Sequence, residues 1–416
     1  MCFAELGYDV MGVDVDTAKI AKLAGGEVPF HEPGLDELLH KNLSSGRLRF
    51  STDYAEAAEF GDVHFICVGT PQRADGMAAD LSYVESAVTT LAPHLKRKAL
   101  LVGKSTVPVG TAERTAELLG RDDVAVVSNP EFLREGAAVH DFLNPDRIVV
   151  GSVSQDAAER VASLYARLGA PTVLTDAASA ELVKYAANCF LAMKLSYINS
   201  VAELCERLGA NISDVTEGMG YDRRIGQSSM SPGPGWGGSC LPKDTEAMLQ
   251  VADSADYEFR LLRATIDTNT RQRQRMVEKV RKAVTGQKGG SLSHTRIAVL
   301  GLAFKAGTND LRDSPALAVS ALLKQAGAEV VGYDPAITDT NRPELESMTV
   351  VDDPYLAAKD AEALVVLTEW PEFRTLDWAR LASVVSRPIV VDLRNLLDAD
   401  VLRRAGFEWT GLGKRN

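Results

Sequence analysis

The sequence predicts an α/β protein. Two Rossmann-like, doubly wound parallel-sheet domains are joined by a long central helix, and the N-terminal domain is incomplete. Three observations lead there. Short apolar runs alternate with helix-like runs at both ends of the chain. An ungapped internal match links those ends. Between them, Ala177–Leu208 contains no Gly or Pro and is rich in helix formers.

The N-terminal runs are YDVMGVDVD (8–16), DVHFICVGTP (62–71), ALLVGKST (99–106) and VAVVSNPE (124–131). The C-terminal runs are TRIAVLGLAF (295–304), AEVVGYDP (328–335), AEALVVLTEW (361–370) and RPIVVDLRN (387–395). Continuous apolar strands closed by Gly, Pro or polar residues suit a sheet covered on both faces. The match aligns Gly7, Val10, Gly12 and Asp14 with Gly327, Val330, Gly332 and Asp334. In a Rossmann unit this is the second strand, whose terminal acid accepts hydrogen bonds from a ribose. The C-terminal copy has a preceding strand and turn, RIAVLGLAF. Its counterpart, with a glycine-rich turn that would seat a pyrophosphate and the helix of which MCFAEL forms the last turns, is expected ahead of Met1; a chain without it is expected to have a misplaced or truncated start or a damaged cofactor site. A second helix is expected over Ala255–Val284, then a linker, TGQKGGSLSH (285–294). The domains are thus 1–176, 177–284 and 295–416.

Net charge is −12, which argues against a broad nucleic-acid-binding face. No apolar run approaches the roughly 20 residues that cross a bilayer, and no secretory signal precedes the first strand. The cysteines Cys2, Cys67, Cys189, Cys205 and Cys240 are odd in number, widely spaced and without CxxC. They fit neither a disulfide framework nor a zinc site, and a reducing cytoplasm is the expected location.

Four stretches carry candidate chemistry. VGKST (102–106) ends like a phosphate-binding loop, but Lys98 stands where its first glycine belongs and Pro108 interrupts the helix it must open. A strand-end loop exposing Ser105 and Thr106 is the better reading. Glu131, Arg134 and Glu135 cluster after another strand, either as a ligand site or as a solvated local ion pair. Lys184 and Asn188 share one helical face. Pro242 suits the first turn of a helix, which places Cys240 just before a helix N-terminus with Lys243 nearby and Asp244 in the first turn. That position favours a thiolate, although free cysteines are most often buried and inert.

Ordered segments then identify a resemblance: VGTP (68–71), KSTVPVGT (104–111), NPEFLREG (129–136), ELVKYAAN (181–188), DRRIG (222–226), PGPGWGGSCLPKD (232–244), GLAFKAGTNDLRDSP (301–315) and DLRN (392–395). Over nearly its whole length the chain resembles the UDP-glucose 6-dehydrogenase family, within the nucleotide-sugar dehydrogenases that include GDP-mannose and UDP-N-acetylmannosamine enzymes. The resemblance implies NAD-dependent, four-electron oxidation of UDP-glucose to UDP-glucuronate through a Cys240 thiohemiacetal and thioester. The other nucleotide sugars are the alternative substrates, and a non-catalytic UDP-sugar-binding relic is the alternative function.

The resemblance also assigns roles. Lys184 and Asn188 stabilise the oxyanion, Asp244 assists Lys184 or activates water, and Thr106 with Glu131 orders the hydrolytic water. Asp14 holds the adenosine ribose, with Lys19, Thr70, Thr106, Glu135, Lys243 and Arg312 as further NAD contacts. Glu131, Phe132, Leu133, Arg134, Glu135, Lys184, Asn188, Ser229, Met230, Ser231, Pro232, Gly233, Gly237, Lys305 and Arg394 match substrate contacts. Arg224 matches an arginine reaching a neighbouring subunit, and the long helix matches the core of a homodimer or higher homo-oligomer. Ser229 replaces an aromatic residue common among relatives, and Trp236 and Leu241 stand where Tyr and Phe are frequent.

Overall fold

The computed structural model describes residues 1–73, 79–346 and 348–414. Two compact units form, one from Met1–Ala187 with Glu246–Tyr257, the other from Asn188–Thr245 with Glu258–Asn416.

The first unit holds β1 (Val10–Val13), β2 (Leu48–Ser51), β3 (Val63–Ile66), β4 (Leu100–Gly103), β5 (Ala125–Ser128), β6 (Ile148–Gly151) and β7 (Thr172–Thr175). β1 and β2 pair in parallel as one sheet, and β3 to β7 form another in chain order. Its strands are parallel except at β5 and β6, which meet antiparallel through Ser128 and Gly151. Leu100, Val102, Val127 and Val150 face the core beneath a helix that contributes Ala157, Ala158 and Val161. Cys2–Glu5 forms one short helical turn.

The second unit carries β8 (Arg296–Leu300), β9 (Glu329–Tyr333), β10 (Thr349–Val350), β11 (Ala363–Val366), β12 (Ile389–Asp392) and β13 (Glu408–Gly411). They form one parallel sheet in the order β10-β9-β8-β11-β12-β13. β8, β11 and β12 are buried almost throughout, which is why their sequences are apolar without alternation. The internal match is thus structural: β1 and β9 each pair with the strand that follows.

The central helix spans Ala177–Leu208 as expected. The second predicted helix begins later, at Arg260, because the preceding helix, Leu241–Ser254, ends in a turn at Asp256 with a left-handed φ of 54°. The linker is also less free than its composition implies, since Leu292 is fully buried in the C-terminal core.

Candidate active site

Two constellations form, one within each unit. In the first, the central helix presents Lys184, which is 3% exposed. Its ammonium donates to Glu131 Oε1 at 2.8 Å, and Glu131 Oε2 accepts from the Leu133 amide at 2.6 Å. Phe132 stacks beneath the Arg147 guanidinium, 3.6 Å from the ring centroid. Arg134 does not join this cluster. It turns outward and forms a bidentate pair with Asp141, the local ion-pair reading of that loop. Thr70 is buried, and its hydroxyl donates to the Thr106 carbonyl at 2.8 Å. The hydroxyl of Ser105 is directed not to solvent but to the Val68 carbonyl at 2.7 Å, so the expectation of an exposed Ser105 fails.

Sequence reading missed Lys104. It donates to Asn129 Oδ1 and the Tyr165 hydroxyl at 3.2 and 3.1 Å. Burial, against the fields of Cys67 and Glu131, lowers its pKa to about 8. Glu32 and Glu181 were missed as well. Glu32 accepts from the Gly136 and Ala138 amides, and Glu181 from those of Gly110 and Ala112, all at 2.7 to 2.8 Å. Each carboxylate satisfies amides at the start of a helix that follows a site loop.

Asp14 lies just past β1. Its carboxylate accepts from the Asp16 amide at 3.0 Å and from the Lys19 ammonium at 2.5 Å, while the side chain stays 30% exposed. Burial pushes its pKa up, but these donors outweigh that and hold it below the usual carboxylate value. A carboxylate can take about four hydrogen bonds, so acceptor capacity remains toward solvent. Asp14 therefore fits the ribose of NAD, even though its lysine partner was expected as an independent contact.

In the second unit, Cys240 is half-buried and immediately precedes the helix Leu241–Ser254. Its carbonyl accepts from the Asp244 amide at 2.9 Å, which starts that helix, and its Sγ lies 3.5 Å from Ser239 Oγ. Asp244 has no exposure. Its carboxylate accepts from Asn188 Nδ2 at 2.5 Å and from Lys243 Nζ at 2.6 Å. Lys243 is thus engaged by Asp244. Cys189, the neighbouring cysteine, is buried against the Asp244 carbonyl, and burial raises its pKa to about 12. It is the inert thiol of the pair.

The glycine loop before Cys240 is held by polar side chains that the sequence did not single out. Gly233 donates to Asn199 Oδ1 at 2.9 Å, and its carbonyl accepts from Gln272 at 2.7 Å. Asn269 closes a reciprocal pair with the Trp236 backbone at 2.8 and 2.9 Å, and the Trp236 indole donates to Ser196 at 2.9 Å. The glycines are required by close approach: a Cβ at Gly237 would lie 2.0 Å from the Asp313 carbonyl, and one at Gly238 would enter the Phe304 ring. Ser229 adopts a left-handed φ of 60°, and Met230 behind it is buried. Ser231 is exposed and Pro232 is buried. Arg394 lies alongside Gly233 and donates to the Leu367 and Phe304 carbonyls. Lys305 sits over the Phe304 ring. Arg312 pairs with Asp310 and Arg224 with Asp222, each at 2.6 Å.

Among the described residues no group of His, Cys, Asp or Glu is arranged to hold a metal, and no helix is long and apolar enough to cross a membrane.

Comparison with known proteins converges on one group. Residues 1–169 match the NAD binding domain of the UDP-glucose/GDP-mannose dehydrogenase family, residues 178–271 its central domain and residues 298–399 its UDP binding domain. The UDP-glucose 6-dehydrogenase of Rhizobium meliloti is 46% identical over 100% of this chain and 96% of its own. UDP-glucose 6-dehydrogenase TuaD of Bacillus subtilis is 43% identical over 99% and 90%. Among solved structures, a UDP-glucose dehydrogenase from Pyrobaculum islandicum superposes with a TM-score of 0.89 at 38% identity, covering 99% of this chain and 94% of that one. A UDP-D-ManNAc dehydrogenase from Pyrococcus horikoshii reaches 0.87 at 31%, covering 99% and 95%. A fold built on largely parallel sheets, a cysteine at a helix N-terminus and family matches along most of the chain together place this protein in the UDP-glucose/GDP-mannose dehydrogenase family.

Proposed function

We propose that this protein oxidises the C6 alcohol of UDP-glucose to the carboxylate, consuming two NAD⁺ and one water. The observation that carries the reading is Cys240 at the amino end of the helix Leu241–Ser254, with the buried Asn188–Asp244 pair in the same unit. NAD⁺ accepts a hydride from C6 in each of two oxidations. Cys240 supplies the nucleophile: its thiolate adds to the aldehyde, holds C6 as a thiohemiacetal and then as a thioester, and leaves on hydrolysis. Lys184, hydrogen-bonded to Glu131, stabilises the developing oxyanion and exchanges a proton, with Asn188 as a second donor. Asp244 accepts one N–H of the Asn188 amide and so orients its second N–H as a donor. Glu131 and Thr106 order the water that ends the cycle.

On this reading, residues 1–176 hold NAD through Asp14, Lys19, Thr70, Thr106 and Glu135, with Lys243 and Arg312 contributing from further along the chain. Residues 177–284 carry the nucleophile and the dimer helix. Residues 295–416 hold the UDP through Lys305 and Arg394, and the loop from Ser229 to Gly237 closes on the sugar nucleotide. Arg224 reaches the sugar nucleotide of a neighbouring subunit. The cytoplasm, where UDP-glucose and NAD are both found, is the proposed location.

The test is NAD-dependent acid formation from a panel of UDP-glucose, UDP-N-acetylmannosamine and GDP-mannose. UDP-glucose is expected to be the preferred substrate, and Cys240→Ser to abolish acid formation. Full-rate acid formation by the serine variant would refute the covalent role, and preference for another nucleotide sugar would refute the substrate.

A further inference from the structure

The internal match pairs Asp334 with Asp14, yet the two carboxylates live in opposite surroundings. Asp334 is 3% exposed. Its Oδ2 accepts from the Leu302 amide at 2.7 Å, the Ala303 amide at 2.9 Å and the Trp370 indole at 3.0 Å, and its Oδ1 accepts from the Ala336 amide at 2.9 Å. Four N–H donors saturate a group that in a dinucleotide-binding unit serves the ribose. Two of those donors belong to the turn after β8, the place where such a fold turns its amides toward a pyrophosphate.

That turn is fixed on its other polar atoms too. The Leu302 carbonyl accepts from the Ser314 hydroxyl at 2.7 Å, and the Ala303 carbonyl from the Thr368 hydroxyl at 2.6 Å. Gly301 has a φ of 94°, and its amide donates to the Tyr333 carbonyl at 2.8 Å. A Cβ at Gly301 would lie 2.4 Å from Thr368 Cβ. The turn leads directly into Phe304 and Lys305, and Arg394 reaches back to the Phe304 carbonyl.

We infer that Asp334 is a positioning residue for UDP-sugar binding: an internal anion seated on the turn after β8, which excludes a dinucleotide there and fixes the approach of Lys305 to the diphosphate. In the first copy the acid is left for a ligand, and in the second it is spent on its own backbone. The inference rests on Lys305 contacting the substrate. Trp370 shares the role, because its indole is the side-chain donor among the four.

The experiment is calorimetric binding of UDP-glucose to the full chain without NAD, for the parent, Asp334→Asn, Trp370→Phe, Lys305→Ala and the Asp334→Asn/Lys305→Ala double variant. Asparagine sets an N–H group against donors, so Asp334→Asn is expected to weaken binding about tenfold at unchanged stoichiometry. Trp370→Phe removes one donor and keeps an aromatic ring, and about a threefold loss is expected. Because Asp334 acts through Lys305, the double variant is expected to bind within about twofold of Lys305→Ala. A merely structural role would instead lower the stoichiometry at unchanged affinity, or make the losses additive, and either result overturns the inference. Parental affinity in both Asp334→Asn and Trp370→Phe also overturns it. A parent that binds no UDP-glucose, or a Lys305→Ala variant that binds normally, overturns the reading of Lys305 and the inference with it.

Discussion

Lys184 and Lys104 are both amines in the first unit, but their surroundings give them different work. Lys184 has a carboxylate partner in Glu131, which aims its side chain. Lys104 donates to neutral acceptors, Asn129 and the Tyr165 hydroxyl, and the fields of Cys67 and Glu131 offset only part of its desolvation. Removing Lys184 is expected to lower kcat by about a hundredfold or more, the scale of losing one oxyanion donor, with little change in the KM for NAD. Steady-state kinetics of Lys184→Ala check this, and an unchanged kcat would exclude it. For Lys104 the readout is stability. Its folded pKa of about 8 lies below the value of about 10.4 for an unfolded lysine. Between those values the unfolded chain binds more protons, so stability rises with pH across that window and is lowest below it. Lys104→Met is expected to flatten that rise. Urea midpoints for parent and variant from about pH 7 to about pH 10 measure the difference, and parallel curves would show that Lys104 is not the source.

At the level of elements, the loop before Cys240 is a run of glycines held by Asn199, Asn269 and Gln272, all within the second unit. Asn269 is 5% exposed and bonds both the amide and the carbonyl of Trp236, so Asn269→Ala strips the buried amide of its acceptor and leaves the carbonyl to the Arg273 guanidinium at 3.3 Å. It is expected to cost about 2 kcal/mol of stability and to speed proteolysis within 232–240, read by denaturant unfolding and limited digestion. Parental stability would contradict it. The strands with continuous apolar runs were legible in sequence, as were the central helix and the helix start at Cys240. β2 was not legible, because LRFS mixes charge with apolar residues on a strand with one neighbour. β7 was not, because Thr172, Val173 and Leu174 are exposed and lack a burial pattern. The catalytic candidates were legible through their motifs. The scaffold was not: Asn199, Asn269, Glu32 and Glu181 are polar residues on helices and loops, and composition reads such residues as surface. Only their partners, which are distant in sequence, show that they are buried.

Across the whole molecule, the central helix carries an apolar stripe that no folding contact explains. Val183, Phe190, Tyr197 and Leu204 recur at a spacing of seven and are 38%, 57%, 55% and 51% exposed. A straight helix drifts about 20° per heptad, so three steps turn through only about 60° and the four side chains stay on one face. Leu208, four residues after Leu204, extends that face and is exposed as well. An exposed apolar stripe of this kind marks an interface, and its heptad spacing suits a second helix of the same kind packing along it. The expected state is therefore a homodimer or a multiple of it, built on this helix. Glutamates at two stripe positions, Phe190→Glu with Tyr197→Glu, place like charges in the seam while leaving exposed helix positions helical. Light scattering with size exclusion is expected to show the parent as a dimer or larger and the double variant as a monomer with parental circular dichroism. A parent that remains monomeric at micromolar concentration, or a variant that assembles as the parent does, would locate the interface elsewhere.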